Sequence, residues 1–482
     1  MISNADLETV GVAEVQEAMA SGELTSADLV AGYLERIERL DRGRPAINSV
    51  RMVAPDAVGQ GAARDDERRA GTVRGPLHGV PVLLKDNIDV AGWPTTGGSL
   101  ALEHSVPVRD ATLVTSLRDA GAVILGKTNL TEFANWMADD MPSGYSSLGG
   151  QVLNPYDVSV TPCGSSSGSG AAAALGLATV AVGSETDGSI LCPCDVQSLV
   201  GVKPTVGLVS RSGMLPISAS QDTAGPMTRT VYDAAALLAA LAAADPDDPS
   251  SAERPADTDY LAALSTTACS GARLAVPARP DDFDAADAEL FDAALTVLRE
   301  RGAELVDVPA LPQSDESDVL RYEFHRDVDT YFASLPDDAP VRSLAELVAW
   351  NEAHADGALK FGQARLTSSL DKDLDKERQV YLAGRRRDAE LAGRLGIDSV
   401  LASYGAAALV VPSWRGAGLG ARAGYPSVIV PAGYRSTNRR PFGITFLGTA
   451  WSEASLLAFA YDYEQATRLR RPPSHVNPSL FR

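Results

Sequence analysis

The sequence predicts an α/β protein, in which strands and helices alternate along the chain. Short apolar runs bounded by Gly and Pro indicate buried strands, and longer stretches with apolar residues at helical spacing indicate helices. In Arg109 to Leu130 a helical pattern ends at Gly121 and the apolar run AVILG follows directly. Such helix, turn and strand units are typical of a sheet covered by helices.

The elements of the first half begin with an amphipathic helix. Leu29, Tyr33 and Ile37 recur at helical spacing after the cap-like residues Thr25 and Ser26. Between Pro76 and Val90 an apolar run ends at Lys85, which predicts a buried strand with a lysine at its end. From Thr161 to Pro193 a Ser/Gly cluster precedes an Ala-rich helix, a strand and a second Gly/Ser turn that ends at Ser189.

The second half begins after residues 244–260, which are rich in Pro, Asp and Ser and predict a surface crossover. One further helix is expected at Ala285 to Arg301. Four more strands are expected, at Ala272 to Ala278, Ala303 to Ala310, Ala407 to Ser413 and Pro426 to Ala432.

The charge of the chain disfavours two classes of partner. Its 482 residues include 42 Lys plus Arg and 63 Asp plus Glu, which gives a net charge of -21. Nucleic acids and anionic membranes bind clustered Lys and Arg, so neither is expected as a partner. The longest uncharged stretch, Val158 to Ser184, is rich in Gly, Ser and Ala and lacks the large apolar residues of a spanning helix.

Four cysteines, Cys163, Cys192, Cys194 and Cys269, are too few and too unevenly placed for a disulfide scaffold, and without a CxxC pair a zinc site is not expected. The first twenty residues carry early acids and no apolar core after a basic start, unlike a signal peptide. We therefore expect a cytoplasmic protein, although a leader that had been removed would leave no trace.

The Ser/Gly cluster has several possible interpretations. A flexible linker is disfavoured because apolar, charge-free elements flank the cluster. Gly164 to Gly168 matches the nucleophile elbow G-x-S-x-G with Ser166 at its centre, but that motif needs a strand before it and a histidine elsewhere. The downstream candidates for that histidine are His325, His354 and His475. A phosphate-binding P-loop is excluded because no Lys follows Gly168 at the required place.

Several long motifs in this order resemble the amidase signature family of Ser-Ser-Lys hydrolases. They are GVPVLLKDNI, GSSSGSG, GSETDGSI, GVKPTVGLVSR and SQDTAGPM, and the similarity extends over nearly the whole chain. Within the family, ETDGSILCP and the FGQ of Phe361 to Gln363 look most like bacterial peptide amidases.

The resemblance implies the amidase signature fold, a single large α/β domain over residues 1–482. In this fold a central mixed twisted β-sheet is covered by helices on both faces. The expected parts are an N-terminal helical arm at about 1–50, a signature core at about 76–230 and a variable substrate-pocket region at about 315–370.

The resemblance also assigns three catalytic roles. Ser189 matches the nucleophile, Ser165 the bridging serine on a cis peptide bond, and Lys85 the buried base. A serine hydroxyl needs a neighbour that takes its proton, and a lysine does this only when neutral. Lowering the pKa of a lysine from about 10.4 to near 7 or 8 requires roughly 4 kcal/mol of desolvation. The alternative is an ion pair of Lys85 with Asp86, which would raise that pKa.

The backbone N–H groups of Thr186, Asp187, Gly188 and Ser189 are expected to hold the oxyanion. The Asp187 side chain is expected to fix this turn by hydrogen bonds rather than to contact substrate. Supporting residues of the first loop are Gly164, Ser166 and Ser167, whose expected role is to hold Ser165 and Lys85 in register.

The implied reaction is hydrolysis of a peptide C-terminal amide through an acyl-enzyme, with no metal or cofactor and with a monomer or homodimer as the assembly. The alternatives are an aryl or fatty amide hydrolase and an A-type component of an amidotransferase. Leu191 argues against the amidotransferase, whose corresponding chains usually carry Arg there.

One segment departs from the family pattern of Pro, a small residue and Asn after the nucleophile. Here the residues are Cys192, Pro193, Cys194 and Asp195. If Ser165 and Ser189 touch, Cys163 lies near Cys192 or Cys194, so a disulfide is geometrically possible. In a reducing cytoplasm we expect free thiols instead.

Overall fold

The computed structural model describes residues 6–256, 258–279, 283–311 and 318–481, and within these residues an eleven-stranded sheet crosses the molecule. Two further short strands, β4 and β5, pair only with each other. The strands are β1 Val50–Val53, β2 Pro81–Lys85, β3 Val123–Thr128, β4 Tyr145–Ser146, β5 Gly150–Gln151, β6 Val180–Glu185, β7 Val200–Lys203, β8 Thr223–Thr228, β9 Arg273–Pro277, β10 Glu304–Val308, β11 Ala408–Pro412, β12 Ser427–Tyr434 and β13 Pro441–Leu447.

The helices flank this sheet. They are α1 Val12–Ser21, α2 Ser26–Arg36, α3 Ala57–Arg69, α4 Thr112–Asp119, α5 Ser167–Leu175, α6 Leu191–Val196, α7 Val231–Leu241, α8 Ala285–Glu300, α9 Val319–Ser334, α10 Leu344–Ala353, α11 Ala355–Ala358, α12 Ala364–Leu370, α13 Arg378–Ala392, α14 Ser399–Tyr404, α15 Ala417–Ala423, α16 Glu453–Thr467 and α17 Pro473–Val476.

The sheet is mixed, as expected. Its order is β1-β3-β2-β6-β8-β7-β12-β13-β11-β9-β10. Strand β2 runs parallel to both β3 and β6, whereas β6 and β8 are antiparallel. Because parallel neighbours end at the same edge, Lys85 at the end of β2 lies beside the residues that follow β6. This edge of the sheet carries the candidate site.

The expected strands and helices are present, and the structure adds others that the sequence patterns did not reveal. The helix after Thr25 is α2, where the Thr25 side chain accepts a hydrogen bond from the N–H of Asp28. Strand β8 was missed because it contains Gly225 and Pro226, which normally mark a loop. Strands β1, β7 and β13 were also missed.

A second apolar cluster lies apart from the main core and covers the site edge of the sheet. We call helices α9, α10 and α12 the helical cover. They pack their apolar side chains against loops that follow β2 and β3 and precede β8. The cluster includes Phe133, Trp136, Met137, Leu215 and Ile217 from the loops, and Phe324, Phe332, Leu347 and Leu366 from the helices.

The helical cover coincides with much of the region expected to line the substrate pocket, residues 315–370. Residues 315–317 of that range lie outside the described part of the chain. Among the residues that are described, no helix has both the length and the apolar character needed to cross a membrane.

Candidate active site

Lys85 lies at the end of β2 with its side chain fully buried. Its Nζ is 2.7 Å from the Oγ of Ser165 and 2.9 Å from the Oγ of Ser184. The carbonyl oxygen of Ser184 is a third neighbour of the amine, at 3.3 Å. The amine is therefore held by hydroxyl and carbonyl groups that do not require it to be charged.

Burial lowers the pKa of Lys85 to about 7, and the negative charges of Asp222 and Glu185 oppose this shift. The expected alternative, an ion pair with Asp86, is wrong. The carboxylate of Asp86 lies 3.3 Å from the Nζ of Lys127, at the neighbouring strand end. Without a carboxylate in contact, desolvation dominates and favours the neutral amine of Lys85.

The first Ser/Gly loop places Ser165 against this amine. The peptide bond between Gly164 and Ser165 is cis, as the resemblance implies. The buried carbonyl group of Ser165 accepts a hydrogen bond from the N–H of Thr131 at 3.1 Å. The loop is thereby attached to the segment that follows β3.

Ser166 and Ser167 hold the same loop in place. The Oγ of Ser166 donates to the carbonyl oxygen of Ser184 at 2.9 Å and accepts from the N–H of Ser184 at 3.1 Å. The Oγ of Ser167 donates to the carbonyl oxygen of Cys163 at 2.5 Å. Ser166 therefore ties the loop of Ser165 to the strand beside Lys85.

Ser189 lies in the turn between β6 and α6, with 4% of its surface exposed. Its carbonyl oxygen accepts a hydrogen bond from the N–H of Ser166 at 3.2 Å. The two Ser/Gly turns, separated by a helix and a strand in the sequence, thus meet in space. Lys85, Ser165 and Ser189 are brought to one place at the sheet edge.

Two buried carboxylates fix the turn of residues 186–189. Glu185 accepts hydrogen bonds from the N–H groups of Ile190 and Leu191 at 2.7 and 2.9 Å. Asp222 accepts from the hydroxyl of Thr186 at 2.5 Å. Burial raises the pKa of both acids, that of Asp222 to about 6. Both ends of the turn are therefore anchored.

Within this turn Gly188 has a φ of +75°, a left-handed conformation that favours glycine. The Asp187 side chain is exposed and faces α15, where a Cβ added to Gly418 would lie 3.2 Å from its Oδ2. The turn therefore has an anchored backbone, and the assignment of its N–H groups to an oxyanion stays a prediction.

Sequence reasoning missed Ser184, Glu185, Asp222 and Asn87. The Nδ2 of Asn87 donates to the Oγ of Ser184 at 3.0 Å, so Asn87 orients one of the two hydroxyls that hold Lys85. The position of Ser184 inside GSETDGSI was the one available signal, because a polar residue in a fully buried strand needs partners. Asp222 lies 33 residues beyond Ser189 in the sequence, inside the motif SQDTAGPM, and the motif alone does not show which group its carboxylate contacts.

The alternative of a Ser-His-Asp site at Ser166 is not supported. The Nδ1 of His325 is 3.2 Å from the carbonyl oxygen of Lys372, and that of His354 is 2.8 Å from the carbonyl oxygen of Trp350. Among the described residues, Ser166 has no hydrogen bond to a histidine.

The expectation of free thiols is wrong for two of the four cysteines. Cys163 and Cys192 form a disulfide, with 5.9 Å between their Cα atoms, while Cys194 and Cys269 are free and buried. Cys163 precedes Ser165 by two residues and Cys192 follows Ser189 by three. The two Ser/Gly turns approach so closely that the two side chains meet, and the disulfide links the two turns covalently.

We expect the denatured protein to release two reactive thiols without a reductant and four after reduction. The double variant Cys163→Ser, Cys192→Ser should lose about 3 to 4 kcal/mol of unfolding free energy, because the cross-link closes a long loop in the unfolded chain. Cys194→Ser lacks this chain-entropy loss and serves as the matched control. Four thiols before reduction would contradict the pairing.

Comparison with known proteins identifies the family of this site. The family model described as Amidase matches residues 28–391. The chain belongs to the amidase signature family. A protein named probable amidase from Arabidopsis thaliana is 37% identical over 492 residues, which cover 98% of this chain and 93% of the relative.

Among solved structures, the native peptide amidase from Stenotrophomonas maltophilia superposes on this amidase with a TM-score of 0.91 and 46% identity. The match covers 96% of this chain and 98% of that enzyme. The A-type component of a glutamyl-tRNA(Gln) amidotransferase from Streptomyces avermitilis is 40% identical over 308 residues, or 64% of this chain and 60% of that relative. A second such component, from Roseiflexus castenholzii, is 33% identical over 95% of this chain and 95% of that relative, so over comparable spans the identity to the peptide amidase is the higher of the two.

Proposed function

We propose that this amidase hydrolyses the C-terminal amide of peptides to the free acid and ammonia. The observation that carries the proposal is the contact of the Lys85 amine, whose pKa is lowered to about 7, with the Ser165 hydroxyl. Both groups lie beside the turn of Ser189. The near full-length likeness to a peptide amidase supports the choice of substrate.

In the proposed first step, Ser189 attacks the amide carbonyl carbon. As the new C–O bond forms, the Ser189 proton passes to the Oγ of Ser165, whose own proton passes to the neutral Nζ of Lys85. The carbonyl oxygen becomes an oxyanion, which N–H groups of residues 186–189 stabilise. No histidine is required.

In the second step the C–N bond breaks. The Ser165 hydroxyl gives its proton to the leaving nitrogen and recovers one from Lys85, so ammonia departs and an ester to Ser189 remains. Water then attacks this ester with the same proton relay in the same direction, and the acid leaves as Ser189 regains its proton. The neutral Lys85 is restored after each half of the cycle.

Ammonia release from a substrate panel tests the proposal. The panel contains N-acetyl dipeptide amides, free glutamine and a long-chain fatty amide, and Ser189→Ala is the control. We expect the dipeptide amides to have the highest kcat/KM. Preference for glutamine would favour a role in an amidotransferase, and preference for the fatty amide would favour a lipid amide hydrolase; either result would overturn the proposed substrate.

A further inference from the structure

The indole of Trp414 lies against the turn that carries the candidate nucleophile. A Cβ added to Gly188 would be 3.2 Å from Cε3 and 3.3 Å from Cζ3 of this indole, so the ring packs directly on the glycine backbone. Yet 40% of the Trp414 surface is exposed. An exposed aromatic ring beside a nucleophile is a surface available to substrate.

The structure fixes the direction of Trp414 through the preceding residue. Ser413 has a φ of +54°, in the left-handed region that is costly for a residue with a Cβ. Its Oγ donates to Asp195 at 2.6 Å and its N–H donates to the carbonyl oxygen of Gly443 at 2.8 Å. Its own carbonyl oxygen accepts from the Thr445 hydroxyl at 2.6 Å. These bonds hold the bend that turns the indole toward Gly188.

Asp195 belongs to the segment that departs from the family pattern. It lies in α6, the helix that begins two residues after Ser189, and its second oxygen accepts from the N–H of Gly443 at 2.6 Å. The helix behind the nucleophile therefore holds both the nucleophile turn and the anchor of Trp414. The two hydrogen bonds that Asp195 accepts, from Ser413 and Gly443, explain a carboxylate at this position.

We propose that Trp414 is a specificity-determining residue that packs against an apolar, preferably aromatic, side chain on the residue bearing the scissile amide. This inference rests on the proposed function. A primary amide releases ammonia, so the only bulky group near the carbonyl is on the acyl side. That group is the part of the substrate that we place against the exposed indole beside Gly188.

The charge at this surface agrees with an apolar side chain. Asp187, next to Gly188, is exposed, and the whole chain carries a net charge of -21. Like charges brought together disfavour binding, so an acidic side chain at the same place is disfavoured. Trp414 and Asp187 together select against Asp and Glu and in favour of Phe and Leu.

The test compares kcat/KM for the N-acetyl amides of Gly, Leu, Phe and Asp. For Trp414→Ala we expect the ratio of the Phe amide to the Gly amide to fall on the order of 10- to 30-fold, mainly through KM, because burial of an aromatic side chain is lost. Trp414→Phe should restore most of the ratio. Trp93→Ala is the matched control, because it removes an indole that packs against the main core. This variant should leave the ratio unchanged.

Equal losses for the Phe and Gly amides in Trp414→Ala would overturn the inference, because they would show a structural role only. Hydrolysis of the Gly amide by the unaltered protein reports the proposed function separately. If none of the four amides is hydrolysed, both proposals fail. Ser413→Ala should give a ratio of Phe to Gly amide between those of the unaltered protein and Trp414→Ala. An unchanged ratio would show that Ser413 and Asp195 do not anchor Trp414.

Discussion

Ser189→Ala is expected to lower kcat for amide hydrolysis by at least about 10⁴-fold, because the variant has no group that forms the acyl-enzyme. The fold should be retained, since the serine hydroxyl is replaced in a turn that Glu185 and Asp222 still anchor. Ammonia release under single-turnover conditions measures the loss, and circular dichroism checks the fold. An acyl adduct detected by mass spectrometry should appear in the unaltered protein and be absent from the variant.

Ser166→Ala is the matched control, because it removes a neighbouring serine hydroxyl from the same pair of loops. Its two hydrogen bonds to Ser184 stabilise the fold, so the variant should lose roughly 1 to 3 kcal/mol of unfolding free energy. Turnover should remain measurable. The opposite pattern, with Ser166→Ala inactive and Ser189→Ala active, would falsify the assignment of the nucleophile and favour an elbow at Ser166.

The second large effect is expected at Lys85. Lys85→Met preserves much of the side-chain volume in the buried site but removes the base, and kcat should fall by about 10³-fold. In the unaltered protein kcat/KM should rise with pH and level off above a midpoint near 7, because burial lowers the pKa of Lys85 to about 7 and the protonated amine accepts no proton. In Lys85→Met, kcat/KM should not show this rise with pH.

Two further variants make the pH test specific. The charge of Asp222 raises the pKa of Lys85, so Asp222→Asn should move the midpoint to lower pH. Lys376→Met removes an exposed lysine that pairs with Asp373 and should leave the profile unchanged. If kcat/KM of the unaltered protein does not change between pH 5 and 9, or if kcat/KM of Lys85→Met still rises with pH, another group is the base.

Much of the site was predictable because the candidate catalytic residues lie within continuous motifs. Lys85 ends an apolar strand, and Ser165 and Ser189 lie in Gly-rich turns on either side of a helix and a strand. Local sequence also predicted β2, β3 and β6, since their apolar runs are bounded by turn residues. The strand order in the sheet did not follow from these patterns, because pairing depends on residues far apart in the chain.

The side chains that anchor the turn of Ser189 and orient the hydroxyls around Lys85 could not be predicted from the sequence in the same way. Asp222 and Asn87 lie within quoted motifs, but a linear motif does not show that their side chains contact Thr186 and Ser184. The ion-pair alternative for Lys85 was decided only in three dimensions, where Asp86 contacts Lys127 on the adjacent strand. Neighbours in sequence alternate sides along a strand, so adjacency predicted the wrong partner.

The sequence by itself determined the α/β class, the family motifs and the three residues of the proposed catalytic relay, because each depends on local order along the chain. Only the tertiary structure decided the pairing of Cys163 with Cys192, the anchoring of the nucleophile turn and the placement of Trp414 on Gly188. The disulfide and the Trp414 contact join segments separated by 29 to more than 200 residues, and folding alone sets their distances. The lowered pKa of Lys85 also depends on the tertiary structure, because burial causes it and no sequence pattern measures burial.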